Sequence, residues 1–410
     1  MNLGTATVIR ANARSLPLAD DSVDLVVTSP PYFALRSYQD GGEHYAGQIG
    51  EEPTPAEFVD SLLEVTAECV RVLKPSGSLW VNLGDKYVAD NRGSGRDAKR
   101  GDAKHAPRGP LGYITGGMRQ KSLMGIPWRY ALRCIDDLGL ILRAEVIWSK
   151  PNGLPESVTD RVRRSHEQWF HFTLEPRYFS AVNEIRERHL RTWGPGNGGT
   201  RPAAAGAGTQ YDGPDVSAPN PLGKLPGSVW EVATEPLRVP TELGVDHFAA
   251  FPTEWPKRII QGWSPAGVCT ACNEGRRPVV DSRRTIDGAP VEDLGGWTRG
   301  GHDQKTAGIG NWRFGTDRRV TGYACACTEP TAPTRPAVVL DPFGGTGTTA
   351  MVAKALGRHG VTVDMSADYC RLAEWRTNDR DQLAKVLGIA KSDGPTQEES
   401  LLDLLDKEGA

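Results

Sequence analysis

Short apolar runs alternate with stretches of helical spacing through most of the chain. Ala6–Arg10 and Val23–Thr28 read as strands, and the amphipathic stretch from about Phe58 to Leu73 reads as a helix. Lys74-Pro75-Ser76-Gly77 then reads as a turn and Ser78–Leu83 as a strand. The alternation resumes with a helix at about Pro127–Leu138, a strand at Leu140–Trp148 and a helix at Trp255–Trp263. Near the end come Val338–Leu340 as a short buried strand, Gly347–Leu356 as a helix, Gly360–Val363 as a strand and Ala367–Leu387 as one helix. Strands alternating with helices predict an α/β fold, a mostly parallel sheet with helices on both faces.

Four segments interrupt the pattern. Residues 90–121, rich in Gly, Arg, Lys and Pro, read as a mobile loop, and 183–228, with a stretch rich in Gly, Ala and Pro from about Thr192 to Leu225, as a variable insertion. Residues 268–328 have little apolar periodicity and look inserted, and 391–410 form an acidic tail. What remains divides into 1–182 and a second half made of 229–267 and 329–390.

The hydrophobic fraction of 38% suits a globular protein, and 410 residues are enough for a full α/β core. No stretch of about 18 apolar residues occurs and the first residues lack a signal-peptide pattern, so a cytoplasmic protein without a membrane span is expected. With a net charge of −3, contact with nucleic acid has to come from local patches. Of seven cysteines, Cys69, Cys134 and Cys370 lie in apolar helix-like runs and read as core.

Asp341-Pro342-Phe343-Gly344-Gly345-Thr346-Gly347-Thr348-Thr349-Ala350 follows a strand and opens a helix. Gly345, Gly347 and Ala350 form G-x-G-x-x-A, which permits a tight turn and close approach of a cofactor to the helix N-terminus. Asp364 ends the next strand, where a carboxylate can accept hydrogen bonds from ribose hydroxyls. No Lys follows the glycines, which excludes a phosphate-binding Walker loop. A dinucleotide fold, and with it a dehydrogenase, stays open on this motif alone. Asp341 disfavours it, since a carboxylate there would repel a pyrophosphate and suits a cofactor with an amino group and a cationic sulfur.

Val23–Thr28 runs into Ser29-Pro30-Pro31-Tyr32, at the carboxyl end of a parallel strand. Two prolines stiffen this loop. The Ser29 hydroxyl and the Pro30 carbonyl are placed to accept hydrogen bonds from an exocyclic NH₂ whose lone pair attacks a methyl sulfonium, with Tyr32 stacking on the base. Read alone, the same four residues are also a rigid turn.

Thr28–Tyr32 (TSPPY) and Asp341–Thr349 (DPFGGTGTT), in that order, resemble the permuted β group of amino-DNA methyltransferases. Trp148-Ser149-Lys150-Pro151-Asn152, the run from Pro155 to Glu167, and His247-Phe248-Ala249-Ala250-Phe251-Pro252 look like that family's connecting motifs. The resemblance implies a Rossmann-like, S-adenosylmethionine-dependent fold, with a catalytic half in 1–182 and a cofactor half in 229–267 and 329–390. It assigns catalysis to Ser29, Pro30, Pro31 and Tyr32. It assigns the cofactor to Asp341, Phe343, Gly345, Gly347, Thr348 and Asp364, and to Asn12, where the family often has Asp. S-P-P-Y implies N4 of cytosine in double-stranded DNA, with N6 of adenine as the alternative and a non-catalytic zinc-containing DNA-binding protein as a further one. A cognate restriction endonuclease is the implied genetic partner. Oligomeric state and target sequence are not readable, although 183–228 is the candidate recognition region.

Cys269-x-x-Cys272 and Cys325-x-Cys327 present four sulfurs in two chelating pairs, the pattern of structural Zn²⁺. Arg276, Arg277, Arg283, Arg284, Arg313, Arg318 and Arg319 lie between the pairs and predict an accessory DNA contact. Arg92, Arg96, Lys99, Arg100, Lys104 and Arg108 in the loop, and Arg161, Arg163 and Arg164, are further candidates for gripping phosphate.

Overall fold

A computed structural model describes residues 3–34, 39–40, 43–44, 47–88, 113–114, 117–153, 155–188, 220, 222–243, 250–286, 289–290, 314–325, 327, 329 and 331–389. The loop cations from Arg92 to Arg108, most of the 183–228 insertion and the acidic tail lie outside the described residues.

Among the described residues, the fold is carried by the following strands and helices, with short two-residue ribbons beside them. The strands are β1 (Thr5–Arg10), β2 (Val23–Thr28), β3 (Leu73–Leu83), β4 (Ile141–Ser149), β5 (His166–Thr173), β6 (Val229–Glu231), β7 (Val268–Cys269), β8 (Arg277–Ile286), β9 (Phe314–Ala324), β10 (Thr334–Arg335), β11 (Val338–Asp341) and β12 (His359–Asp364). The helices are α1 (Pro55–Val72), α2 (Ile126–Asp136), α3 (Glu254–Trp263), α4 (Thr348–Ala355), α5 (Ala367–Asn378) and α6 (Arg380–Leu387). Eight strands form one sheet in the order β1-β12-β11-β2-β3-β5-β4-β6. All neighbours are parallel except where β5 runs against β3 and β4. The expected mostly parallel sheet is therefore present, with one reversed strand.

Alternation along the strands divides the core. Leu79, Val81, Leu83, Phe170 and Phe172 turn to the face covered by α1 and α2. Leu25, Val27, Trp80, Trp169 and Val339 turn to the face covered by α3, α4 and α6. Trp255 of α3 stacks against Trp169 at 5.0 Å and Trp230 at 4.9 Å. Each such ring buries roughly 150–250 Å², so this cluster dominates the second face. Beneath the sheet, Lys74 pairs with Asp24, both nearly fully buried, and Asp24 Oδ2 accepts from Val338 N at 2.8 Å. That pair joins the starts of β2, β3 and β11, so their carboxyl ends emerge together.

Local chemistry sets the helix ends. Thr54 caps α1 by accepting from Glu57 N at 3.2 Å while its hydroxyl donates back to Glu57 Oε2 at 2.9 Å, with Pro55 opening the helix.

The structure departs from the sequence pattern in five places. Lys74–Gly77, expected as a turn, belongs to β3 as a bulge: Leu73 faces Val23 and Ser78 faces Leu25. The expected single helix Ala367–Leu387 is two helices, broken at Asp379, whose Oδ1 accepts from Gln382 N at 2.8 Å and caps α6. Strands β5 and β6 were not expected. Nor was the antiparallel hairpin of β8 and β9, because Arg277–Ile286 and Phe314–Ala324 lack apolar alternation. Among the described residues no helix is long and apolar enough to cross a membrane.

Candidate active site

The loops after β1, β2, β11 and β12 meet at one edge of the sheet around a cleft of about 510 Å³. Ser29, Pro30, Pro31 and Tyr32 form part of its wall. Asn12, Phe343, Gly345, Thr348 and Asp364 form the part beside it. Residues more than 300 positions apart in the chain thus share one concavity.

The Ser29–Tyr32 loop is held from below by groups to which sequence reasoning gave no role. Ser29 Oγ donates to Asn82 Oδ1 at 3.2 Å. The Tyr32 hydroxyl, with one hydrogen to give, lies 2.8 Å from Asn82 Oδ1 and 2.7 Å from Glu167 Oε2. Asn82 Nδ2 donates to the Gln168 carbonyl at 3.0 Å, which fixes the amide so that its oxygen faces the loop. Glu167 is paired with Lys150, whose ammonium sits 4.1 Å above the Trp148 ring. The Tyr32 ring lies against Gly84: a Cβ there would stand 2.6 Å from a ring carbon. Glu167 and Gln168 enter the site on β5, the reversed strand.

Across the cleft, the Gly-rich turn approaches the neighbouring strand closely. A Cβ on Gly344 would overlap Thr362 Oγ1 at 1.5 Å, so only glycine fits, and Gly344 N donates to the Val363 carbonyl at 2.8 Å. Gly345 N donates to Asp364 Oδ2 and Ser366 N to Asp364 Oδ1, each at 2.9 Å, which fixes the carboxylate plane. Gly347 caps α4 at φ 72° and is not on the cleft wall. Asn12 is exposed at the rim, with its Oδ1 accepting from Arg14 N at 3.0 Å.

Asp341 does not face the cleft. It is 1% exposed and accepts from Thr28 Oγ1 at 2.7 Å, Phe343 N at 3.1 Å and Thr349 Oγ1 at 2.9 Å. These three donors and its burial hold Asp341 beneath the two loops, which it joins from below. Burial raises its pKa to about 6 against the lowering effect of the hydrogen bonds.

Cys269, Cys272, Cys325 and Cys327 come together away from the cleft, their sulfurs all within 4.8 Å of one another. The separations of 3.7 Å (Cys269–Cys327) and 3.4 Å (Cys325–Cys327) compare with about 3.8 Å between thiolates on a tetrahedral zinc. Backbone N–H groups of Cys272 and Ala271 lower the Cys269 thiol, whereas the neighbouring cysteine sulfurs raise Cys272 and Cys327, so without a cation the four sulfurs favour a single thiolate, on Cys269.

The charged sets fare unevenly. Arg161 lies over the Tyr87 ring and donates to Glu156, Arg163 donates to the Gly153 carbonyl, and Arg164 donates to Gln168 Oε1. Arg276 donates to the Ala332 carbonyl. Arg313 lies outside the described residues, as do the side chains of Arg283, Arg284 and Arg318.

A mostly parallel eight-stranded sheet with a Gly-rich turn after β11 and an acid ending β12 is the fold of S-adenosylmethionine-dependent methyltransferases. The DNA methylase family model for N6 and N4 enzymes matches residues 23–269 and 331–375, and the chain belongs to that family. The interruption at 270–330 contains the β8–β9 hairpin and three of the four clustered cysteines. The chain is 45% identical over 170 residues to type II methyltransferase M.XycI of Xanthomonas campestris pv. cyanopsidis, a match covering 42% of this chain and 54% of that protein. It is 35% identical over 256 residues to type II methyltransferase M.Cfr9I of Citrobacter freundii, covering 62% and 71%. Among solved structures, the PvuII DNA methyltransferase, described as cytosine-N4-specific, superposes with a TM-score of 0.50 at 16% identity, covering 95% of this chain and 92% of that one.

Proposed function

We propose that this protein transfers a methyl group from S-adenosylmethionine to N4 of a cytosine extruded from double-stranded DNA. The observation that carries methylation of an amino group is the Ser29–Asn82 hydrogen bond, and Ser29 at the head of Ser-Pro-Pro-Tyr is what favours cytosine. Because Ser29 gives its hydrogen to Asn82, its lone pairs are left to accept from an amino group entering the cleft. A second acceptor, the Pro30 carbonyl, sits on a backbone stiffened by two prolines. Together they favour a tetrahedral amino nitrogen, whose lone pair is then no longer delocalised into the ring. Tyr32, held by Gly84, Asn82 and Glu167, offers its ring as a platform for a base that has left the stack.

Phe343, Gly345, Thr346, Thr348, Asp364 and Asn12 are the residues that would hold the donor. S-adenosylmethionine, when bound, supplies an electrophilic methyl group on a cationic sulfur. The chain's part is to hold acceptors and donor on facing walls of a cleft large enough for both a nucleoside and a base. Cys269, Cys272, Cys325 and Cys327 would hold a structural Zn²⁺ that fixes the base of the β8–β9 hairpin, and Arg277 and Arg319 on that hairpin belong to an accessory DNA contact. The relatives' designation as type II methyltransferases supports work in the cytoplasm beside a cognate restriction endonuclease.

Transfer of a radiolabelled methyl group to double-stranded DNA, with Ser29→Ala beside wild type, tests the reading. We expect labelled DNA from wild type and a rate lower by about a hundredfold for Ser29→Ala. Equal rates would remove Ser29 from the chemistry.

A further inference from the structure

Arg376 of α5 is 3% exposed, and the opposite charge that acts on it, Glu235, is itself paired with Lys385. Its NH1 donates to Thr346 Oγ1 at 2.7 Å and to Thr348 Oγ1 at 2.6 Å, while its Nε has no hydrogen-bond partner. A buried guanidinium with no direct ion pair among the described residues, its nearest opposite charge being Glu235, is costly unless something anionic comes closer to it. The two threonines form part of the cleft wall at the N-terminus of α4, where backbone N–H groups also favour an anion.

Guanidinium groups only donate, so both hydroxyl oxygens are occupied as acceptors and both hydroxyl hydrogens must go elsewhere. The oxygens are 3.3 Å apart, so one hydrogen can bridge the pair. The other has to leave it. Behind the threonines, Arg376 also lines a hollow of about 190 Å³ with Glu235, Arg238, Phe251 and Lys385, and Phe251 borders both this hollow and the cleft. Three cations against one carboxylate leave the hollow net positive, which again fits an anion.

We propose that Arg376 is a positioning residue that holds the Thr346 and Thr348 oxygens as acceptors and so turns the hydroxyl hydrogen the pair does not share into a donor for the carboxylate of the methyl donor's amino-acid end. The proposal rests on S-adenosylmethionine being that donor. Arg376 thereby makes the site select a nucleoside that carries an amino acid over the same thioether without one. No motif signals this: Thr346 and Thr348 belong to the Gly-rich turn, whereas Arg376 comes from the helix after Asp364.

Calorimetry on the full chain with two probes, S-adenosylhomocysteine and 5′-methylthioadenosine, tests it, because only the first has the carboxylate. Arg376→Met is expected to weaken S-adenosylhomocysteine by about tenfold or more, the scale of a lost charge-assisted hydrogen-bond set, and to change methylthioadenosine by less than about twofold. Equal losses for both probes would mean that Arg376 merely supports the loop, and would overturn the proposal. Thr346→Val, which removes one hydroxyl while nearly keeping volume, carries the same test should Arg376→Met not fold. Wild type binding neither probe would overturn the donor assignment itself, and the proposal with it.

Discussion

Thr28 Oγ1 donates to Asp341 Oδ1 at 2.7 Å across 313 positions of sequence, joining the strand that ends in Ser-Pro-Pro-Tyr to the strand that ends in the Gly-rich turn. The bond ties the ends of two adjacent parallel strands, β2 and β11, so that both motifs leave the sheet on the same side. Its strength depends on the charge of Asp341.

Burial raises the pKa of Asp341 to about 6, above the unfolded value near 4, so the folded state holds the proton more tightly. The resulting stabilisation is fully present below about pH 4 and is lost as pH rises through about 6. Its ceiling is on the order of 3 kcal/mol at about 1.4 kcal/mol per pKa unit. Urea denaturation of wild type and Asp341→Asn between pH 4 and 7 should show wild type losing stability relative to the variant as pH rises. Parallel curves would contradict the assignment.

Gly84→Ala places a methyl group 2.6 Å from a Tyr32 ring carbon, and the ring has to move. A displacement of about 1 Å at a positioning group can cost about a hundredfold in rate. Methylation by Gly84→Ala should fall on that scale with S-adenosylhomocysteine affinity unchanged. Unchanged kcat would mean that the Tyr32 position does not matter.

Purified protein should contain one zinc per chain by elemental mass spectrometry, and Cys272→Ser with Cys327→Ser should contain none. Proteolysis of the double variant should then cut first within 270–330 and leave the sheet intact. Full zinc content in the variant would place the metal elsewhere.

The sheet was legible where its strands are buried on both faces: β2 is buried at every position, and Val23, Leu25, Val26 and Val27 mark it as a strand despite Asp24. Strand β5 was not, because Gln168 and His171 interrupt its apolar residues, although both are buried. Missing that strand also hid the role of Glu167, which reaches Tyr32 from its end. Asn82 and Arg376 carry no local signal, since a lone Asn in a strand or Arg in a helix acquires meaning only from what the fold sets beside it. Asp341 shows the converse. Its place before the glycines was plain, but a carboxylate's burial and its three donors are tertiary facts.

The measurement that bears most directly on the central claim is enzymatic digestion of DNA methylated by the protein, followed by mass analysis of the nucleosides. The proposed reading, which takes cytosine over adenine from Ser29 in Ser-Pro-Pro-Tyr, predicts N4-methyldeoxycytidine as the product. N6-methyldeoxyadenosine alone would contradict the cytosine assignment, and DNA without any methylated nucleoside would contradict the methyl-transfer account as a whole.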